Sequence, residues 1–193
     1  MFAPSILPSA AGALALCLFI IFSQVGCASS RNGAGIAASP ASRVAKEAEF
    51  AEFASLLGRR LALAEKVALV KFRERLPVED RPRENNFLAA VEERAVAAGV
   101  DHAQARAFFA AQIEASKREQ SRLLRAWKSG LPLPGWGALS LRDDVRPELD
   151  RLTPLLLAGW QAVRHQPGLH RRLYRELRQQ GWSIPVARAA VSF

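Results

Sequence analysis

The chain has 193 residues, 50% of them hydrophobic and 23% charged, enough for one ordinary domain with a sizeable core and too few for two. That balance excludes a disordered or a wholly membrane-embedded chain, and 12 glycines and 11 prolines exclude collagen-like or Pro/Gly low-complexity sequence. Lys and Arg outnumber Asp and Glu 27 to 18, a net charge of +9, which favours an anionic partner without saying whether it is nucleic acid, lipid or a small acid.

Residues 1–30 carry no Asp, Glu, Lys or Arg, and Ala10 to Phe22 is an almost unbroken apolar run. Its length suits the apolar region of a signal peptide and is short for a membrane span. Small residues follow at Gly26, Cys27, Ala28 and Ser29, as a cleavage site requires. The segment therefore predicts export, to the periplasm or beyond. Gly26-Cys27 resembles the end of a bacterial lipoprotein signal, although Gln24 stands where a leucine is usual, so lipidation of Cys27 and free secretion both stay open. Residues 31–42 read as a flexible tether. Cys17 and Cys27 leave the rest of the chain without a disulfide, and the scattered His102, His165 and His170 make a zinc site untenable.

From Arg43 onward the pattern is helical, punctuated by Gly and Pro. Phe50, Phe53, Leu56, Leu57, Leu61, Ala64, Val67, Ala68 and Phe72 keep a 3.6-residue period to about Leu76, and Pro77 ends that helix. Asp80 before Pro82 is the order of an N-cap and a first-turn proline, which starts a second helix that stops at Gly99. Asp101 caps a third, about His102 to Lys128, with Phe108, Phe109, Ile113, Leu123, Leu124 and Trp127 on its apolar side. Leu131 to Gly137 reads as a linker. A fourth helix covers about Asp144 to Arg164 with a bend near Thr153-Pro154, and Pro167-Gly168 introduces a basic helix to Gln180. The tail, Gly181 to Phe193, is apolar and is read either as packing on the domain or as an extended strand. No stretch alternates with period two for long enough to build a sheet. Residues 43–193 are therefore expected to form an all-α bundle of five to six helices.

Several polar residues sit on faces that should be apolar. Arg60 and Lys71 are eleven residues apart, three helical turns, on the side of the first helix shared with Leu57, Ala64, Val67 and Ala68. Ser116 and Gln120 form an i, i+4 pair on the third helix; Asp80, Arg83 and Glu84 surround the first turn of the second; Arg146 opens the fourth. Taken singly, each has an ordinary explanation: a snorkelling cation, a cap, a polar strip. Taken together, they would cost several kcal/mol facing a helical interior unpaired, and they make sense around a compact, multiply charged anion.

These residues carry a resemblance. Lys71-Phe72, then Leu76-Pro77-Val78-Glu79-Asp80-Arg81-Pro82-Arg83-Glu84, and the Ser116-x-x-x-Gln120 pair resemble the core of the all-helical chorismate mutases. Export, a longer single chain and the segment Arg146 to Asp150 resemble the secreted, gamma subclass of that family. The resemblance spans about Leu56 to Leu156. It places the family's ligand-contacting residues on Arg60, Lys71, Asp80, Arg83, Glu84, Ser116 and Gln120, with Arg146 as the arginine that the secreted subclass supplies from its own fourth helix. Two departures stand out. Secreted members often have a glutamate where this chain has Gln120, and some have a C-terminal disulfide, for which this chain has no cysteine.

The activity implied is the rearrangement of chorismate to prephenate, with no cofactor. Arg60 and Arg146, assisted by Ser116, would hold the two carboxylates; Asp80 or Glu84 would accept from the ring hydroxyl. Lys71 and Gln120 would donate to the ether oxygen as negative charge grows there. The resemblance also implies a homodimer whose pockets each lie within one chain. Two other readings compete: an isochorismate–pyruvate lyase on the same scaffold, and a non-catalytic periplasmic metabolite-binding module. The arginines Arg164, Arg171, Arg172, Arg175 and Arg178 recommend the latter, although they suit a solvated face. Nucleic acid is not an expected partner, because export separates the chain from it and no recognition motif accompanies the charge.

Overall fold

The structure, a computed structural model, describes residues 39–193. The expected signal segment, Cys27 and most of the expected tether lie outside the described residues. Six α-helices follow in chain order: α1 (Pro40–Glu74), α2 (Arg81–Ala97), α3 (His102–Lys128), α4 (Arg146–Val163), α5 (Leu169–Gln179) and α6 (Ile184–Ala190). A π-helical turn, Leu141–Val145, runs directly into α4, and no strand occurs among the described residues.

The helix boundaries follow from local chemistry. Ser39 caps α1 by accepting from the Ser42 N–H, with Pro40 in the first turn, so the helix starts three residues before the expected Arg43. It ends at Arg75, which takes the left-handed conformation at φ 56°, because Leu76 precedes Pro77 and is barred from the helical region. The Asp80 carboxylate accepts from the Arg83 N–H and that of Asp101 from the Gln104 N–H, which fixes the starts of α2 and α3. Helix α4 runs unbroken through Pro154.

Helix α1 is the spine: α3, α4 and α5 pack along it, α2 lies on α3, and α6 packs on α3 and α5. Phe53, Phe108 and Phe109 are fully buried, each stabilising the fold by about 1.5–3 kcal/mol. Trp160 stacks on Phe108 with ring centroids 5.4 Å apart, and Phe193 meets both edge-on. Gly159 lets α4 approach α1 closely, since a Cβ there would lie 2.9 Å from the Phe53 ring. A smaller cluster (Ala68, Leu69, Leu123 and Trp127) joins the far ends of α1 and α3, where Trp136 and Leu139 of the linker fold back on it. Arg73 pins that linker by donating to the carbonyls of Trp136, at 3.0 Å, and Gly137, at 2.7 Å.

The C-terminal tail resolves the open choice between packing and extension. It packs, as the short helix α6, with Val186, Ala187, Ala189 and Ala190 buried. Gln112, fully buried on α3, donates to the Ala190 carbonyl at 2.7 Å and anchors its end. Seven residues are too few for a 3.6-residue period to show in sequence.

Candidate active site

The polar residues that looked misplaced in sequence meet in one cavity of about 160 Å3. Helix α1 contributes Arg60, Leu63, Ala64, Val67 and Lys71, the i, i+3, i+4, i+7 and i+11 positions of one face. The α1–α2 loop and the first two turns of α2 add Val78, Asp80, Arg83, Glu84 and Phe87. From α3 come Ile113, Ser116, Lys117 and Gln120. The π-helical turn and α4 close it with Leu141, Val145, Arg146, Leu149 and Asp150. All eight residues singled out in the sequence (Arg60, Lys71, Asp80, Arg83, Glu84, Ser116, Gln120 and Arg146) line this space.

Five cationic side chains face three carboxylates there, which leaves a surplus of two positive charges. Among the described residues Arg60, Lys71, Arg83 and Arg146 form no ion pair. Arg60 is only 8% exposed, its Nε has no hydrogen-bond partner, and its guanidinium lies 5.6 Å from the centroid of the Phe87 ring. Burial lowers its pKa to about 10, so it remains charged at neutral pH while pairing with no carboxylate among the described residues. Nε of Arg146 is likewise buried and unpartnered. Arg83 is lowered by burial first and then by the nearby positive charge of Arg146.

Lys71 is held from behind: its Nζ donates to the Val78 carbonyl at 2.6 Å, leaving two N–H bonds free for the cavity. Burial lowers its pKa, while Asp80 and Glu84 oppose that shift. On α3, the Gln120 amide donates to Ser116 Oγ at 3.0 Å with one N–H to spare, and its Oε1 is buried without a partner. At the start of α2, Glu84 Oε1 accepts from the Asp80 N–H at 3.3 Å. The arrangement can bind a small dianion through guanidinium groups, accept a hydrogen bond from a hydroxyl at Asp80 or Glu84, and present an ammonium and an amide to a third oxygen.

Of the polar lining, Lys117 and the Val78 carbonyl were not singled out in the sequence, and Asp150 figured only as the end of the Arg146 to Asp150 segment. Lys117 lies on the same face as Ser116 and Gln120, and Asp150 is one turn past Arg146, so helical spacing could have revealed both. The Val78 carbonyl belongs to the backbone and leaves no trace in residue type.

Known proteins similar to this chain point to one family. Residues 51–121 match the family described as chorismate mutase type II. A secreted chorismate mutase of Yersinia pestis is 34% identical over 104 residues, covering 54% of this chain; the match spans 55% of that relative's length. Among solved structures, a chorismate mutase from Burkholderia thailandensis superposes with a TM-score of 0.65 at 37% identity, covering 75% of this chain and 95% of that one. One from Burkholderia phymatum gives a TM-score of 0.66 at 27% identity, over 76% and 93% of the two chains.

Proposed function

The chain belongs to the chorismate mutase type II family, a family of isomerases, and we propose that its cavity converts chorismate to prephenate by holding a reactive conformer and stabilising developing charge. The observation that carries this reading is the buried Arg60 with the half-buried Lys71 and Arg146, none of them in an ion pair, beside the Ser116–Gln120 donor pair. Among the described residues no carboxylate pairs with Arg60 or Arg146, so a dianionic ligand supplies the charge that the fold omits.

The reaction is an intramolecular pericyclic step and requires no nucleophile, metal or general base. Binding both carboxylates with Arg60 and Arg146, aided by Ser116, folds the flexible side chain over the ring and removes most of the entropy of reaching the transition state. Guanidinium forks suit that task because they match a carboxylate in two bonds. Asp80 or Glu84 accepts from the ring hydroxyl and sets its register, with Arg83 adding positive potential at the rim. As the ether bond breaks, negative charge accumulates on its oxygen, and Lys71 and Gln120 donate there. A preorganised donor at such a position contributes about 3–4 kcal/mol to the transition state.

We further propose that the chain is exported, a reading supported by the uncharged, apolar first thirty residues and by the secreted relative from Yersinia pestis. A lipid anchor through Cys27 is an elaboration of the same proposal, tested by mass spectrometry of the mature N-terminus. The homodimer, with each pocket within one chain, is proposed on resemblance, and light scattering tests the oligomeric state.

The test of the activity is to incubate the purified protein with chorismate and, separately, with isochorismate, identifying products by chromatography. Prephenate from chorismate is the expected result. Pyruvate from isochorismate alone would transfer the assignment to the lyase, and no turnover of either would leave a binding protein.

A further inference from the structure

Lys117 is the one cation of the cavity that is paired, and its partners make it unusual. Its Nζ lies 3.2 Å from Glu84 Oε2, 3.6 Å from Glu114 Oε2 and 3.7 Å from Glu79 Oε1. Burial alone would lower its pKa, but the hydrogen bond to Glu84 and the charges of Glu84, Glu114 and Glu79 outweigh burial and raise it. Glu84 is thus gripped at both oxygens: Oε2 by Lys117 from α3, Oε1 by the Asp80 N–H at the cap of its own helix. Its side chain and that of Lys117 are each 22% exposed, so solvent screens the pair only in part.

We propose that Lys117 is a positioning residue that holds the Glu84 carboxylate in register and cancels its charge toward the incoming dianion. This inference rests on the chorismate reading of the cavity. A carboxylate in a site that must capture two carboxylates is a liability unless its charge is offset nearby. Lys117 supplies the offset from the cavity wall and ties the start of α2 to α3, while the hydroxyl-accepting edge of Glu84 stays available. Removing the ammonium leaves the Glu84 carboxylate held at Oε1 alone, uncompensated and repulsive to substrate. Capture should suffer far more than the chemical step, because Lys117 does not touch the breaking bond.

Steady-state kinetics with chorismate on the wild type, Lys117→Met, Lys117→Arg, Glu84→Gln and the Lys117→Met/Glu84→Gln double variant provide the test, with helical content checked by circular dichroism. Lys117→Met should raise KM about tenfold, the effect of one unmatched charge several ångströms from a dianion, and change kcat less than about threefold. Lys117→Arg should restore KM to within about threefold of wild type. With glutamine at 84, the further change Lys117→Met should alter KM by less than about twofold, because the other partners of Lys117, Glu79 and Glu114, do not line the cavity. An unchanged KM in Lys117→Met, a fall confined to kcat, or an equal KM penalty with glutamine at 84 would overturn the proposal while leaving the reaction assigned. A wild-type protein that does not rearrange chorismate would overturn the reaction, and this proposal with it.

Discussion

The two halves of α1 treat arginine in opposite ways. Near its N-terminus, Arg172 of α5 reaches across to Glu47 and lies over the Phe50 ring, its guanidinium carbon 3.9 Å from the centroid. Midway along, Arg59 points outward and pairs with Glu148 at 3.3 Å. One residue further, Arg60 turns into the cavity, is more deeply buried than either, and has no acidic partner. Desolvation makes an unpaired buried cation costly, whereas exposed pairs are worth little either way. Where arginine serves the fold, this chain provides an acid; where it faces the cavity, the acid is left to the ligand.

Cavity substitutions should therefore affect turnover strongly, and substitutions at the α1–α5 contact should affect stability alone. The largest effect is expected at Lys71. Lys71→Ala should lose two to three orders of magnitude in kcat, the equivalent of about 3–4 kcal/mol, with the helical spectrum retained. Stopped-flow or spectrophotometric assay of prephenate formation measures it, and a near-normal rate would remove Lys71 from the mechanism.

Gln120 comes next. A neutral amide donates at every pH, so wild-type turnover should be flat across roughly pH 5–8. Gln120→Glu should be active only while its carboxyl is protonated, so its rate should fall as pH rises through that group's pKa. A wild-type rate that drops steeply above about pH 6 would argue against Gln120 as the donor.

The smallest effect is expected at the paired arginine. Arg172→Ala removes one ion pair and one ring contact at a partly solvated surface, so it should cost about 1 kcal/mol in denaturant unfolding and leave kcat and KM unchanged. A tenfold loss of turnover there would mean that the two regions are not separable.

Much of this division was legible in the sequence, for identifiable reasons. Asp80, Pro82 and Asp101 mark helix starts through caps whose chemistry is local, and α2 and α3 begin where those residues indicate. Arg60, Lys71, Ser116 and Gln120 stood out because a 3.6-residue period places them among apolar neighbours, and the structure brings them to one cavity. What stayed hidden depends on tertiary contact. Lys117 is unremarkable as a helical lysine until α2 brings Glu84 against it. Helix α6 is held by the buried Gln112 and the apolar packing of its alanines, not by a repeat of its own. The linker looked structureless, yet Arg73 and the Trp127 cluster fasten it just before the turn that delivers Arg146.

The central claim is that the cavity's arginines are left unpaired for a ligand's sake, and Arg60→Leu tests it most directly. The measurement is thermal unfolding of the empty protein alongside kcat/KM for chorismate. The account predicts opposite signs. Relief of a buried unpaired charge should stabilise the empty protein by about 1–3 kcal/mol, raising Tm by several degrees, while kcat/KM falls at least about a hundredfold. A lower Tm together with lost activity would show that Arg60 holds the fold, and retained activity would show that it does not hold the substrate.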